Sequence, residues 1–194
     1  MRTHHLVKAL LAASLLASGT GAMAADPAPA ASTATRTNGG VVHFKGQIVN
    51  AACAVSADSA NQTVQLGQYR SAKFKAVGDK SGAVPFNIKL QDCDSTVSTK
   101  ASVTFTGPSD AIDPSVLAVS NIGAGAGGAA SGVGIEISDS QGVVMSPNSG
   151  AYSSPQTVSD GITLLPLAAR YKSTLAAVTP GEADADATFT LQYQ

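Results

Sequence analysis

The chain has 194 residues, of which 44% are hydrophobic and 13% charged, with a net charge of −1. That balance suits one globular domain, and it excludes the basic surface that a nucleic-acid partner requires. Three histidines, two cysteines and no tryptophan leave little material for catalysis, for metal ligation or for stacking a sugar ring.

Met1 to Ala24 reads as a secretory signal. Arg2 and Lys8 give the positive start, Ala9 to Ala17 the apolar middle, and Ala22-Met23-Ala24 a small-x-small cleavage site. The apolar run is too short for a bilayer, which takes ~20 residues, and no second hydrophobic span follows. The processed chain, residues 25–194, is expected to be soluble and exported. Loss of Arg2 and Lys8 lowers the basic residues from 12 to 10 against 13 acidic, shifting the net charge from −1 to −3.

Asp26 to Asn38 is rich in Ala, Pro, Ser and Thr and poor in core-forming side chains, the composition of a flexible leader. Gly39-Gly40 leads into a first predicted strand, Val41 to Asn50, in which Val42, Phe44 and Ile48 alternate with polar residues. Cys53 and Cys93 are the only cysteines. An even pair in an exported chain reads as a disulfide, worth ~4 kcal/mol by the chain-entropy model for a loop of this length. A redox pair is the competing reading, although catalytic dithiols usually sit two residues apart.

Further short strands are predicted at Thr63–Tyr69, Val84–Leu90, Ala101–Gly107 and Val133–Ile137, the last turning at Asp139–Gly142 and resuming at Val143–Met145. Pro85 stands near its strand's start, where a missing N–H is tolerated. A brief helical turn is predicted near Pro114 to Val119, a Gly/Ala surface loop over Ile122–Ser131, and longer strands over Ile162–Tyr171 and Ala187–Tyr193. No segment carries a sustained 3.6-residue stripe. Short alternating strands separated by Gly, Pro, Asn and Asp predict an antiparallel β-sandwich.

The candidate chemistry is thin. His4 and His5 leave with the signal, and His43 lies on the polar face of the first strand, so no Ser-His-Asp or Cys-His set assembles. Gly123, Gly125 and Gly128 spell GxGxxG, but no flanking strand and helix accompany them, as a phosphate-cradling loop requires. Glu182, Asp184 and Asp186 read as a turn before the last strand instead of a calcium loop. Asp92 and Asp94 flank Cys93 as solvated carboxylates, and Asn61-Gln62-Thr63 is a glycosylation sequon by spelling only. No catalytic residue, metal site, cofactor or small-molecule substrate is expected.

The two chain ends carry more. Phe189, Leu191 and Tyr193 alternate with Thr190, Gln192 and Gln194, so the last strand stops one residue after a core-facing tyrosine. A terminal strand edge, with a loosely tethered apolar segment at the front, suits completion by another molecule. The alternative is that the first strand pairs within its own domain.

The run Asn38 to Val55 (NGGVVHFKGQIVNAACAV) is similar to the start of the major subunit of type 1 fimbriae, a chaperone–usher pilin. The segments Thr63–Gln68, Asp92-Cys93-Asp94, Ala169-Arg170-Tyr171 and Ala183–Phe189 continue the resemblance across the processed chain. It implies an all-β, incomplete immunoglobulin-like sandwich that lacks its last strand and is completed in trans by a donor strand; such strand complementation is a known mode of peptide recognition. The implied organisation is a signal peptide over 1–24, an N-terminal extension over 25–46 and a pilin domain over 47–194.

The donor face then comprises Gly40, Val42, Phe44 and Gly46, and the chaperone-binding segment comprises Gly181, Phe189, Leu191, Tyr193 and Gln194. Implied partners are identical subunits joined head to tail, a periplasmic chaperone, an outer-membrane usher and minor or tip pilins. The implied function is that of a structural fimbrial subunit at the cell surface that supports adhesion. A self-contained carbohydrate-binding adhesin or a minor tip-type pilin is the alternative.

Overall fold

The computed structural model describes residues 34–120, 122 and 127–194. The signal segment, the leader up to residue 33, and Gly123 and Gly125 lie outside the described residues. The chain divides into two units, residues 1–45 and 46–194. Residues 34–50 carry no regular secondary structure and are exposed throughout. The first predicted strand therefore has no strand partner among the described residues.

The second unit is a two-layer antiparallel sandwich. One sheet has the order β1-β2-β7-β5-β4, formed by Ala54–Val55, Val84–Cys93, Gly161–Ser173, Val133–Asp139 and Leu117–Ala118. The other has the order β6-β3-β8, formed by Gln156–Thr157, Lys100–Thr106 and Thr188–Tyr193. The long strands arise where the sequence alternates. Ile88 and Leu90 on β2, Val103 and Phe105 on β3, Ile135 and Ile137 on β5, and Leu165, Leu167 and Ala169 on β7 all turn inward and are buried. Residues paired across neighbouring strands share a face. The pairs Ile88↔Leu165, Phe86↔Leu167 and Ile137↔Ala169 thus place the apolar sets of three strands in one layer.

Three expectations are corrected. Thr63–Tyr69 is irregular instead of a strand, because its alternation finds no ladder partner among the described residues; only Leu66 packs partly against the core. The turn near Pro114 is not helical. The Val116 N–H donates to the Asp113 carbonyl at 3.1 Å, and the chain passes directly into β4. Val143–Met145 forms a single bridge, Ser138↔Val144, without extending into a strand. Two short helical turns, α1 (Ala57–Ala60) and a 3₁₀ turn (Ser71–Lys73), were not signalled by any periodicity.

Cys53 and Cys93 form the disulfide, joining the entry to β1 with the end of β2. Asp92 and Asp94 do not act together. Asp92 sits at a β-bulge with φ +52°, and the Asp94 carboxylate accepts from the Thr96 N–H at 2.8 Å.

β5 is buried on both faces, and its outward side needs a separate explanation. Glu136 is 1% exposed and lies beneath the long side chains of its neighbours. Its Oε1 accepts from Lys80 Nζ at 2.9 Å and from Arg170 Nε at 2.8 Å, while Lys172 Nζ lies 3.7 Å from Oε2 and 2.7 Å from Asp113 Oδ2. Two strands and two loops thereby meet at one carboxylate. Gly134, two residues earlier, has no room for a Cβ against Val116 and the Leu117 carbonyl.

Burial pushes the Glu136 carboxyl upward, but the hydrogen bonds and charges of Lys80 and Arg170 outweigh it and hold the group below the ordinary glutamate range. A carboxylate depressed on folding contributes stability above its unfolded pKa, and loses that contribution as pH falls through its folded value. Glu136→Ala removes the buried acceptor shared by Lys80 and Arg170, which stay partly exposed to solvent, and is expected to cost about 1–3 kcal/mol. Urea unfolding at pH 7 checks this, and the difference between variant and parent should shrink at acid pH, below the glutamate range. An unchanged midpoint would show the cluster to be ornamental.

Candidate functional site

A groove of about 1410 Å³ runs between the two sheets. Its floor is the inward face of the first sheet, with Phe86, Ile88, Ile135, Ile137, Ala169 and Tyr171, and Phe105 and Phe189 form the opposite wall. One rim is the irregular stretch Gln62–Tyr69, and the other is the loop Val178–Thr188 leading into β8. The volume exceeds the 300–1,000 Å³ usual for small-molecule clefts, and the floor is apolar while the two rims carry polar side chains. An elongated apolar segment fits it better than a metabolite.

β8 decides how such a segment would bind. It stands at the end of the second sheet, paired with β3 in the register Ala101↔Tyr193 to Thr106↔Thr188. Its other edge has no ladder partner among the described residues. Phe189, Leu191 and Tyr193 turn toward the core and remain only partly covered, as their alternation predicts. An edge strand with unsatisfied main-chain groups beside an apolar trough is a template for strand addition.

Two tyrosines tie the terminal strand and the rim loop to the sandwich. Tyr193 Oη donates to the Cys53 carbonyl at 3.2 Å, tying the terminal strand to the disulfide. Tyr171 Oη donates to the Ala183 carbonyl at 3.1 Å, holding the rim loop, and its ring meets Tyr69 edge-on at 5.9 Å. Burial raises both Tyr171 and Tyr193 above the ordinary phenol range, with Asp184 adding to the shift at Tyr171. Both therefore stay protonated donors at neutral pH.

The site residues expected from the sequence fall in three places. Phe189 lines the groove, Leu191 and Tyr193 pack partly against the core farther along β8, and the Gln194 carbonyl accepts from the Thr99 and Lys100 N–H groups at 2.9 Å each. Gly181 lies in the rim loop, where a Cβ would meet the backbone of Ala129 at 2.6 Å. Its requirement is close backbone approach. Gly40, Val42, Phe44 and Gly46 lie in the exposed extension: Phe44 is 92% and Val42 73% exposed. His43 is exposed too. Among the described residues no group of three or more His, Cys, Asp or Glu is placed to hold a metal, and Asp184 and Asp186 belong to the rim loop.

Sequence reasoning missed the Tyr69–Tyr171 contact and the part of the Val178–Thr188 rim before Gly181. Tyr171 was visible as the end of the apolar run in β7, but nothing local reports its partner twelve residues on.

The fimbrial protein family matches this chain over residues 42–194. The chain belongs to the fimbrial protein family. This fimbrial subunit is 46% identical to the fimbrial subunit type 1 of Salmonella typhimurium over 98% of its own length and 99% of that protein. It is 49% identical to the type-1 fimbrial protein A chain of Escherichia coli, over 89% of its length and 92% of the relative. In structure it is similar to the P pilus rod subunit PapA, with a TM-score of 0.61 at 28% identity, covering 74% of this chain and all of that one. A subunit of a chaperone–usher pilus gives a TM-score of 0.64 at 29% identity, covering 84% and 99%.

The groove has its explanation in this family: the sandwich is an incomplete pilin fold that lacks a donor strand. The fimbrial subunit is a structural, non-enzymatic component of a surface fimbria that supports adhesion. It is exported, and it polymerises by donor-strand exchange in the chaperone–usher pathway.

Proposed function

We propose that the donor segment is Asn38–Gly46, carried by an N-terminal extension over 25–46, and that it enters the groove of the next copy beside β8. Every second residue from Asn38 to Gly46 lies on one face, so Gly40, Val42, Phe44 and Gly46 enter together, with glycines where main chains approach closely. The observation that carries the reading is the pairing of two unfinished elements in one chain. Among the described residues an exposed alternating segment has no strand partner, and a groove with an apolar floor has a spare strand edge. Burying Val42 and Phe44 contributes ~3–6 kcal/mol, before main-chain hydrogen bonds.

Before exchange, a periplasmic chaperone covers the same edge, reading Phe189, Leu191, Tyr193 and Gln194, with Gly181 setting the rim loop that precedes them. An outer-membrane usher then receives the complex, and minor or tip pilins use the same groove-and-strand rule at the end of the fibre. Deleting Gln192–Gln194 removes Tyr193 and its bond to the Cys53 carbonyl. Co-purification with the cognate chaperone should fall to background. Undiminished recovery would show that the terminal strand is not the handle.

A further inference from the structure

Charge divides between the two unfinished elements. No acidic residue stands between Asp26 and Asp58, and that stretch carries Arg36 and Lys45. Among the described residues that line the groove, the charged ones are Glu182, Asp184 and Asp186, all on the loop Val178–Thr188. The opposite rim, Gln62–Tyr69, has no charged residue.

The main chain of the acidic rim is fixed in place. The Glu182 N–H donates to the Gly128 carbonyl at 2.9 Å, and the Glu182 carbonyl accepts from the Ala130 N–H at 2.7 Å. Asp184 exchanges two such bonds with Ser120, at 2.8 and 3.1 Å. Ala185 packs partly against the core, so Asp184 and Asp186 on either side of it turn away from the core. The ion pairs of the sandwich gather on Glu136 and Asp113, and neither Glu182 nor Asp186 has one among the described residues.

Pairing direction brings the two charge sets together. β8 runs antiparallel to β3. A strand that continues this sheet in the same sense ends beside the start of β8, where the rim loop enters. With Val42 and Phe44 turned into the groove, Lys45 stands on the outer face at that end. Arg36 stands nine residues earlier, about 30 Å along an extended strand and well beyond a Debye length at physiological salt. Solvent-exposed charges of this kind act mainly on the rate of encounter and add little to affinity.

We propose that the acidic rim loop is an electrostatic guide for the incoming donor segment, acting on Lys45; the proposal rests on the strand-exchange reading above. The guide sets how fast the strand enters, while the buried apolar face sets how firmly it is held.

The test mixes the subunit, held by its periplasmic chaperone, with a fluorescent peptide of residues 34–48, and follows entry by anisotropy where the rate is second order. At about 20 mM salt the parent peptide should enter about fivefold faster than its Lys45→Gln form, and the ratio should approach one at about 0.5 M. Arg36→Gln should change the rate by less than about twofold. Glu182→Gln with Asp186→Asn in the subunit should erase the Lys45 advantage. A Lys45→Glu peptide, slow on the parent subunit, should recover on a subunit carrying Glu182→Lys with Asp186→Lys, a rescue that a merely structural role would not give. Equal rates for the parent and Lys45→Gln peptides at low salt overturn the proposal, as does a Lys45 advantage that survives high salt or the neutralised rim. If the parent peptide does not enter the groove at any salt concentration, the strand-exchange reading fails first and this one with it.

Discussion

Phe44→Asp is expected to abolish fibres while leaving subunit export and chaperone capture intact. In the isolated chain Phe44 is 92% exposed, so the substitution costs the subunit's own fold almost nothing. In the fibre the aspartate would have to enter a groove floored by Ile135, Ile137 and Ala169, with no cation among those floor residues. Burying an unpaired carboxylate costs several kcal/mol, and the Phe44 burial is lost as well. Polymerisation should fall by at least a hundredfold, measured as surface fibres by electron microscopy against periplasmic subunit by immunoblot. Phe44→Leu should retain most assembly, which separates apolar content from ring shape. Normal piliation of the aspartate variant would remove Phe44 from the interface.

The second large effect concerns the disulfide. Cys53→Ser leaves Cys93 unpaired and frees a loop that the bond closes over a separation of 40 residues, a loss of about 4 kcal/mol in the chain-entropy picture. The damage reaches the binding edge, because the Cys53 carbonyl is also the acceptor for Tyr193 Oη. Steady-state subunit in the periplasm should drop several-fold, with proteolytic fragments, and the purified variant should unfold at lower urea. A variant as abundant and stable as the parent would show that the bond does not hold the sandwich together.

Much of the sandwich was legible because alternation is a local signal of a half-buried strand. β2, β3, β5, β7 and β8 were all marked by it, as were the core-facing positions Phe189, Leu191 and Tyr193 of the last strand. Thr63–Tyr69 misled for a related reason: its pattern is that of a strand, but no neighbour among the described residues completes its ladder. Val41–Asn50 behaves in the same way. Glu136 was unreadable for a different cause. Alternation puts it on the solvent side of β5, and only the convergence of Lys80, Arg170 and Lys172 from distant segments buries it. The groove itself is a property of strand order, invisible to any window of sequence.

The most direct measurement places a photo-crosslinking residue at position 44 in fibres grown from a mixture of isotopically light and heavy subunits. Mass spectrometry of the crosslinked peptides then reports whether each link joins one chain or two. The account predicts light–heavy pairs linking position 44 to β5 and β8, around Ile137 and Phe189, in the proportion expected for neighbouring copies. Links confined to a single chain, or none to those strands, would contradict it.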